Sequence, residues 1–351
     1  MGIAQIRRRC VKSAKEPTVI GVESQEVERK VLAILTVVSK AQEPVGSRII
    51  SRRLRDYGVE LTERAVRYHL KLTDERGLTR LVGQNGRLVT EQGIEEISSA
   101  LVQERVGLAL SRIENRAFQT TFDWKTKTGL IPVNVSLFPR EKFSKALSAM
   151  APAFKSGLCA GNRVVAVPEH GRLGEIVIPQ GKIGFGTVCS VLLNGVLLRS
   201  GVPMDSPFGG ILQIRNHKPL RFVEVINYDR SSFDPSEIFI RGKMTSVKLA
   251  SAQGNGRILA NFRQFPSICR PVVEETIAGL QEAGLGVVLT MGHVSEPVCE
   301  TAVHLNKIGM ILVDGMNPVA AAEEAGIQAD NKAMDAIVDY GALTPFESLL
   351  K

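Results

Sequence analysis

Cysteine is scarce, and what there is does not suit metal or disulfide chemistry. Cys10, Cys159, Cys189, Cys269 and Cys299 are scattered over 351 residues, with no C-x-x-C pair and no histidine at finger spacing. That argues against a zinc site or a disulfide framework and makes reduced thiols in a cytoplasm the expectation. Long apolar runs are also missing. The stretch Val31 to Val38 is too short and too interrupted to span a bilayer, and no apolar h-region follows Arg7-Arg8-Arg9, so the reading is of a soluble, cytoplasmic chain with no membrane partner. Catalytic signatures are lacking too. There is no G-x-S-x-G elbow, no Walker loop and no H-E-x-x-H, and His69, His170, His217, His293 and His304 are isolated. The run Gly181-Lys-Ile-Gly-Phe-Gly186 departs from the dinucleotide pattern and leads into Thr-Val-Cys-Ser rather than a clear helix. No cofactor, no metal and no enzyme activity are expected.

Positive charge is present, and it is uneven. Residues 1–95 hold 18 Lys/Arg against 12 Asp/Glu, which accounts for +6 of the total +8 and points to an acidic partner for the N-terminal end. Residues 1–22 read as a flexible basic arm ending near Pro17 and Gly21. A helix is predicted from Ser24, as its cap, to Ser39, because Val27, Val31, Ile34, Leu35 and Val38 recur at helical spacing. Ser47 is a candidate cap for a second helix closed by Gly58, and Thr62 for a third closed by Gly77. A strand to Val82, a glycine-rich tip from Gly83 to Gly86 and a second strand from Arg87 complete a hairpin. Three helices and a hairpin over 23–92 make a winged helix-turn-helix. Its third helix turns Val66, Leu70 and Thr73 inward and Arg64, Arg67, Tyr68 and Lys71 outward. Such a helix can enter a major groove, so Arg64, Arg67 and Lys71 are candidate base or phosphate contacts, Thr62 and Tyr68 phosphate or sugar contacts, and Arg87 the contact of the wing. Residues 93–120 read as one further helix, a linker or a dimerisation element, with apolar positions including Leu101 and Val106.

The remainder, 121–351, repeats itself. Lys182-Ile-Gly recurs as Lys307-Ile-Gly, and Phe138-Pro as Phe265-Pro, which suggests two α/β copies, about 130–202 and 257–327, around an insert at 203–256. The fold class is therefore mixed, a winged helix followed by an internally duplicated α/β regulatory domain. Small polar and cationic residues stand among apolar strands at Thr187, Cys189, Ser190, Asn194, Arg221, Thr245, Ser246, Asn261 and Arg263. A buried arginine demands an anion or many acceptors, and with hydroxyls and amides it suits a small carboxylate effector.

Several longer runs resemble one family. Asn134-Val-Ser-Leu, Gly186-Thr-Val-Cys-Ser-Val, Phe208-Gly-Gly, Arg221-Phe-Val-Glu-Val-Ile-Asn-Tyr, Asp234-Pro-Ser-Glu-Ile-Phe-Ile, Ala260-Asn-Phe-Arg and Asn317-Pro-Val-Ala-Ala-Ala-Glu-Glu-Ala-Gly are similar to the regulatory domain of the NrpR-type nitrogen repressors of methanogenic archaea. The resemblance runs from about Leu130 to Tyr340. It implies a repressor of nitrogen-fixation and assimilation genes that binds a palindromic operator in double-stranded DNA as a dimer or tetramer. It also implies 2-oxoglutarate as the releasing effector, and it allows for a partner subunit with a second NrpR-like domain. On this reading Arg221 and Arg263 clamp the two carboxylates of the effector across the copies. Two other classes stay open at this point: a small-metabolite enzyme fused to a DNA-binding domain and using Cys189 or Lys182, and a corepressor whose winged helix binds protein.

Overall fold

The computed structural model describes residues 20–41, 43–100 and 107–350. The basic arm up to residue 19, together with Leu101 and Val106, lies outside them. The chain divides into two compact units, Met1–Glu104 and Arg105–Lys351.

In the first unit, α1 (Ile20–Ser39) already includes Ser24, so that serine is inside the helix and not its cap. Val31, Ile34, Leu35 and Val38 are buried along its inner face, as the 3.6-residue period requires. Gly46, rather than Ser47, caps α2 (Ser47–Leu54), and a 3-10 turn over Arg55–Tyr57 ends at Gly58 in the left-handed region, φ 68°. Thr62 does cap α3 (Glu63–Glu75), its hydroxyl accepting from the Ala65 amide at 3.2 Å. Val66, Leu70 and Thr73 are buried beneath it. The hairpin pairs β1 (Thr79–Val82) with β2 (Gly86–Val89), Thr79 opposite Val89. Val45, ahead of α2, bridges to Arg87. A Cβ at Gly86 would sit 2.3 Å from the Val45 carbonyl carbon, so only glycine lets β2 lie this close. Thr90 caps α4 (Glu91–Ser99).

The single helix expected over 93–119 is broken. Ala100 has extended backbone, ψ 136°, and Gly107 is left-handed, φ 83°. Ile97 of α4 packs with Val31, Leu35 and Leu78. By contrast, α5 (Leu108–Gln119) buries Ala109, Ile113 and Ala117 in the second unit. The apolar period continues through this stretch, but its two halves serve different cores.

The second unit opens with β3 (Leu130–Pro139), α6 (Phe143–Lys155), β4 (Arg163–Val167) and a small hairpin, β5 (Arg172–Leu173) with β6 (Ile176–Val177). Then come β7 (Lys182–Val188), α7 (Val191–Arg199) and β8 (Asp205–Arg215). After β9 (Lys218–Asn227), α8 (Pro235–Arg241) and α9 (Val247–Gln253), the series starts again. It consists of β10 (Gly256–Pro266), α10 (Arg270–Glu282), β11 (Val288–Val294), β12 (Lys307–Val313), α11 (Asn317–Glu324) and β13 (Asp330–Asp339), with β14 (Thr344–Pro345) at the end. Lys182 and Lys307 open β7 and β12, and Asp205 and Asp330 open β8 and β13, both pairs 125 residues apart.

The copies are therefore longer than the sequence suggested, and β8 belongs to the first of them and not to an insert. After β7 ends at Val188, α7 starts at Val191, so a helix does follow the run Gly181 to Ser190. The sheets run β13-β3-β7-β4-β14 and β11-β12-β10-β8-β9. In both, an opening strand lies between a closing strand and the strand that precedes the last helix. The closing strand comes from the other copy: β13 pairs with β3, and β8 with β10, both antiparallel. Ile131, Val133 and Val135 of β3, Leu192 and Val196 of α7, Leu280 of α10 and Met310 of β12 share one core, so the two copies bury their apolar faces against each other.

This exchange predicts how the regulatory unit folds. Expressed separately, 107–253 lacks the partner of β3 and 254–350 lacks the partner of β10. Each half alone should give little cooperative structure by circular dichroism, while the two co-expressed should co-purify as a folded pair. A half that folds alone would show that the exchange is dispensable.

Candidate functional site

On α3 the outward face carries Arg64, Arg67, Tyr68 and Lys71, all exposed. Arg67 and Lys71 make i,i+4 pairs with Glu63 and Glu75, each at 3.8 Å, long surface pairs that contribute about 0–1 kcal/mol. The Thr62 hydroxyl is engaged in capping. Arg87 is placed differently. Its Nε donates to Asp74 Oδ2 at 2.7 Å, with only about a fifth of the side chain exposed. Arg48, Arg52 and Arg55 around α2 and Arg80 on β1 are exposed; Arg80 was not among the residues singled out from the sequence.

In the second unit the polar residues of both copies converge. Asn134 of β3 and Asn261 of β10 hold equivalent places, one opposite Thr187 and the other opposite Leu312, 125 residues later. Asn134 Nδ2 donates to Thr187 Oγ1 at 3.4 Å, and its Oδ1 accepts from the Met334 amide. Asn261 Nδ2 donates to Ser190 Oγ and to Asp314 Oδ2, both at 3.0 Å, and its Oδ1 accepts from the Tyr228 hydroxyl. Ser236 Oγ donates to the same Asp314 oxygen at 2.8 Å. Arg263 is fully buried. Its Nε donates to Asn194 Oδ1 at 3.3 Å and its Nη1 to the Phe262 carbonyl at 2.9 Å, with the guanidinium 5.1 Å over the Tyr228 ring. Among the described residues no carboxylate lies within ion-pair distance of it. Its counterpart in the first copy is Ser136, since Phe185 and Met310, their cross-strand partners, are also 125 residues apart.

Charge is strained here. Burial, then the neighbouring Asp314 and Glu237 carboxylates, push the Asp234 carboxyl up to about 7, against the lowering bond from the Ser236 amide. Burial, then Asp314, raises the Cys189 thiol to about 12, so it stays a protonated, inert thiol at neutral pH. Arg263, Asn261, Asn134 and Ser190 surround an internal cavity of about 10 Å³, room for one water. Beside it lies a cleft of about 620 Å³ whose walls include Ile113, Glu114, Asn194, Met204 and Gln264. Asn194 stands between the two, with Nδ2 on Ser206 and Oδ1 on Arg263.

One wall of the cleft is α5, and α5 is pinned. At Met334 the backbone turns left-handed, φ 52°, and the register of β13 against β3 shifts. Arg112 donates to the Ala333 carbonyl, and Arg116 to the Met334 and Asp335 carbonyls at 2.9 and 3.2 Å. The bulge thus presents three acceptors to one helix.

Thr187, Asn261 and Arg263 of the strands come together with Cys189 and Ser190, in the turn after β7, and with Asn194 of α7. Arg221, Thr245 and Ser246 do not. Arg221 is half exposed on β9, pairs with Glu300 at 3.7 Å and lies opposite Gln213. Gln213 in turn lies opposite Arg257, six residues along β10 from Arg263, roughly 20 Å at ~3.3 Å per residue. No clamp of Arg221 with Arg263 is built. Thr245 donates to Glu324 at 2.7 Å and Ser246 accepts from the Arg257 amide, so both organise the start of α9. Sequence reasoning missed Tyr228, Asp234 and Asp314. Asp314 had a usable signal, an acid directly after the apolar run Met310 to Val313.

Among the described residues no helix is long and apolar enough to cross a membrane, and no group of three or more His, Cys, Asp or Glu is placed to hold a metal ion. The family described as NrpR regulatory domains NRD1 and 2 matches residues 106–345, and residues 32–97 match the ribonuclease R winged-helix domain. The chain is 38% identical to the global nitrogen regulator NrpRI of Methanosarcina mazei, over 90% of this chain and 97% of that one. It is 32% identical to the global nitrogen regulator NrpR of Methanocaldococcus jannaschii over 91% of this chain, and 31% identical to that of Methanococcus maripaludis over 88%. It spans only 55% and 54% of the length of those two. A crystal structure of a nitrogen repressor-like protein from Methanococcus jannaschii superposes with a TM-score of 0.57 at 27% identity, covering 68% of this chain and 98% of that one. These relatives are regulators and not enzymes, and with a regulatory-domain match over most of its length and a winged helix ahead of it, the chain belongs to the NrpR family of nitrogen regulators.

Proposed function

We propose that this chain represses nitrogen-fixation and assimilation genes by binding palindromic operator DNA as a dimer or larger oligomer, and that 2-oxoglutarate releases it. DNA binding rests on α3, which exposes Arg64, Arg67 and Lys71; Arg67 and Lys71 are held by long surface pairs and can exchange those carboxylates for phosphates or guanine edges. Two half-sites need two such helices. The greater length of two relatives favours a second regulatory domain, from another copy or a partner subunit, in the working assembly.

The observation that carries the effector reading is Arg263. A buried guanidinium with five donors and, among the described residues, no carboxylate within ion-pair distance suits an incoming carboxylate. The 10 Å³ cavity is too small for one, so the ligand enters by the 620 Å³ cleft and displaces the Asn194 side chain from Arg263. Since the first copy has Ser136 where the second has Arg263, one ligand binds per domain. The same cleft is walled by α5, the first described helix of the regulatory unit, so occupancy acts on that helix. Release by a factor of 100 requires that the ligand prefer the non-binding arrangement by about 2.7 kcal/mol.

Three outcomes are expected. In gel shifts with promoter DNA of nitrogen-assimilation genes, affinity should fall steeply with salt, and Arg64→Ala or Arg67→Ala should each reduce the slope of log affinity against log salt by about 1. No shift of the DNA even at low salt would instead mark the winged helix as a protein-binding module. In titration calorimetry 2-oxoglutarate should bind with one site per chain. Arg263→Met, which keeps the volume and removes the charge, should weaken that binding at least about 100-fold, the range for losing a buried charged hydrogen-bond partner, while operator binding persists; unchanged affinity would refute the site.

The third outcome concerns pH. Asp234 has a folded-state value raised to about 7 from 3.8, so the folded state holds a proton that the unfolded chain releases first. Its contribution to stability is full below 3.8 and is lost as pH rises through about 7. Asp234→Asn, which keeps an acceptor for the Ser236 amide, should flatten the decline of Tm across that window. An unaltered profile would place the proton elsewhere.

A further inference from the structure

The winged helix contains a bonded chain that the DNA reading does not use. Asp74, in the last turn of α3, accepts Arg87 Nε at 2.7 Å on one oxygen and the Thr79 hydroxyl at 2.6 Å on the other. The Thr79 and Thr73 hydroxyls are 2.7 Å apart, and Thr73 is completely buried. Four side chains thus join the end of the recognition helix to both strands of the wing. At the same residue, Arg87 exchanges both backbone bonds with Val45 at 3.0 Å, and Gly86 beside it has no room for a Cβ. Arg87 is therefore held by helix, wing and the loop before α2 at once. A charge-assisted, two-oxygen anchorage of this kind fixes direction as well as distance.

We infer that Asp74 and Arg87 are positioning residues that set the angle between wing and recognition helix, so that the exposed Arg80 of the wing and the cations of α3 reach one DNA duplex together. This rests on the proposal that the winged helix binds DNA. A direct phosphate contact by Arg87 makes the opposite prediction. Removing Asp74 would then free a cation and delete a negative charge next to it, and binding would tighten. For a positioning pair, removing Asp74 harms binding as much as removing Arg87.

The test uses the full chain and a duplex selected by the wild-type protein from a random-sequence pool. Asp74→Ala and Arg87→Ala should each weaken binding about tenfold, and the double variant should be no weaker than either alone, because the two act as one unit. The slope of log affinity against log salt should fall by about 1 in all three as the wing's phosphate contact is lost. A variant that merely destabilises the fold lowers the active fraction and leaves that slope unchanged. Asp74→Asn, which retains an acceptor for Thr79, should show the same sign at smaller size. If Asp74→Ala binds as tightly as wild type or tighter, or if the slope stays put, the positioning role is wrong. If the wild-type chain selects no duplex at all, DNA binding fails, and the inference with it.

Discussion

The pairing of β13 with β3, mirrored by β8 with β10, is the constraint on which the regulatory unit rests. An opening strand in the middle of a sheet must satisfy its backbone groups on both sides, and here one side is met only by chain from the other copy. The copies are thereby locked into one body. The same crossing brings Asn134 and Asn261 toward a shared centre, and it delivers the bulge at Met334, which Arg112 and Arg116 grip. Topology, polar centre and the docking of α5 have one cause.

Electrostatics then distinguishes the copies. Their backbones follow the same order, yet only the second carries an arginine at the centre, and the acids near it, Asp314 and Asp234, are held by hydroxyls, amides and backbone rather than by that arginine. Such an arrangement is expensive for stability, since charges buried without direct pairing incur desolvation with little return. On the proposal of an effector site, that cost is borne for a ligand rather than for the fold.

Local signals in the sequence were legible except at two caps, since Ser24 lies inside α1 and Gly46 rather than Ser47 caps α2. The Thr62 cap, the left-handed Gly58 and Gly77, the hairpin tip and the inward positions of α3 all follow from short-range chemistry. The repeat was also visible through Lys182-Ile-Gly and Lys307-Ile-Gly. What could not be read was non-local. Nothing in residues 205–215 says that they pair with 256–266 and not with 130–139, so β8 passed for an insert. Arg221 looked equivalent to Arg263 because both sit in β-rich, apolar stretches, but β9 is an edge strand and β10 is central. The bond of Arg87 to Asp74 could not be read either, because the sequence does not show that the end of α3 lies against the wing. That α4 ends at Ala100 and α5 begins after Gly107 was hidden by an apolar period that belongs to two cores.

The strand exchange also bears on how such a protein can grow. A lone half-repeat added to this unit would leave an opening strand with no closing strand, a long unpaired edge of the kind that seeds aggregation. Copying both halves together leaves no such edge, so the self-sufficient unit is the pair. Divergence within a pair is bounded as well, because every substitution on β8 or β13 is screened against the strand of its sister half.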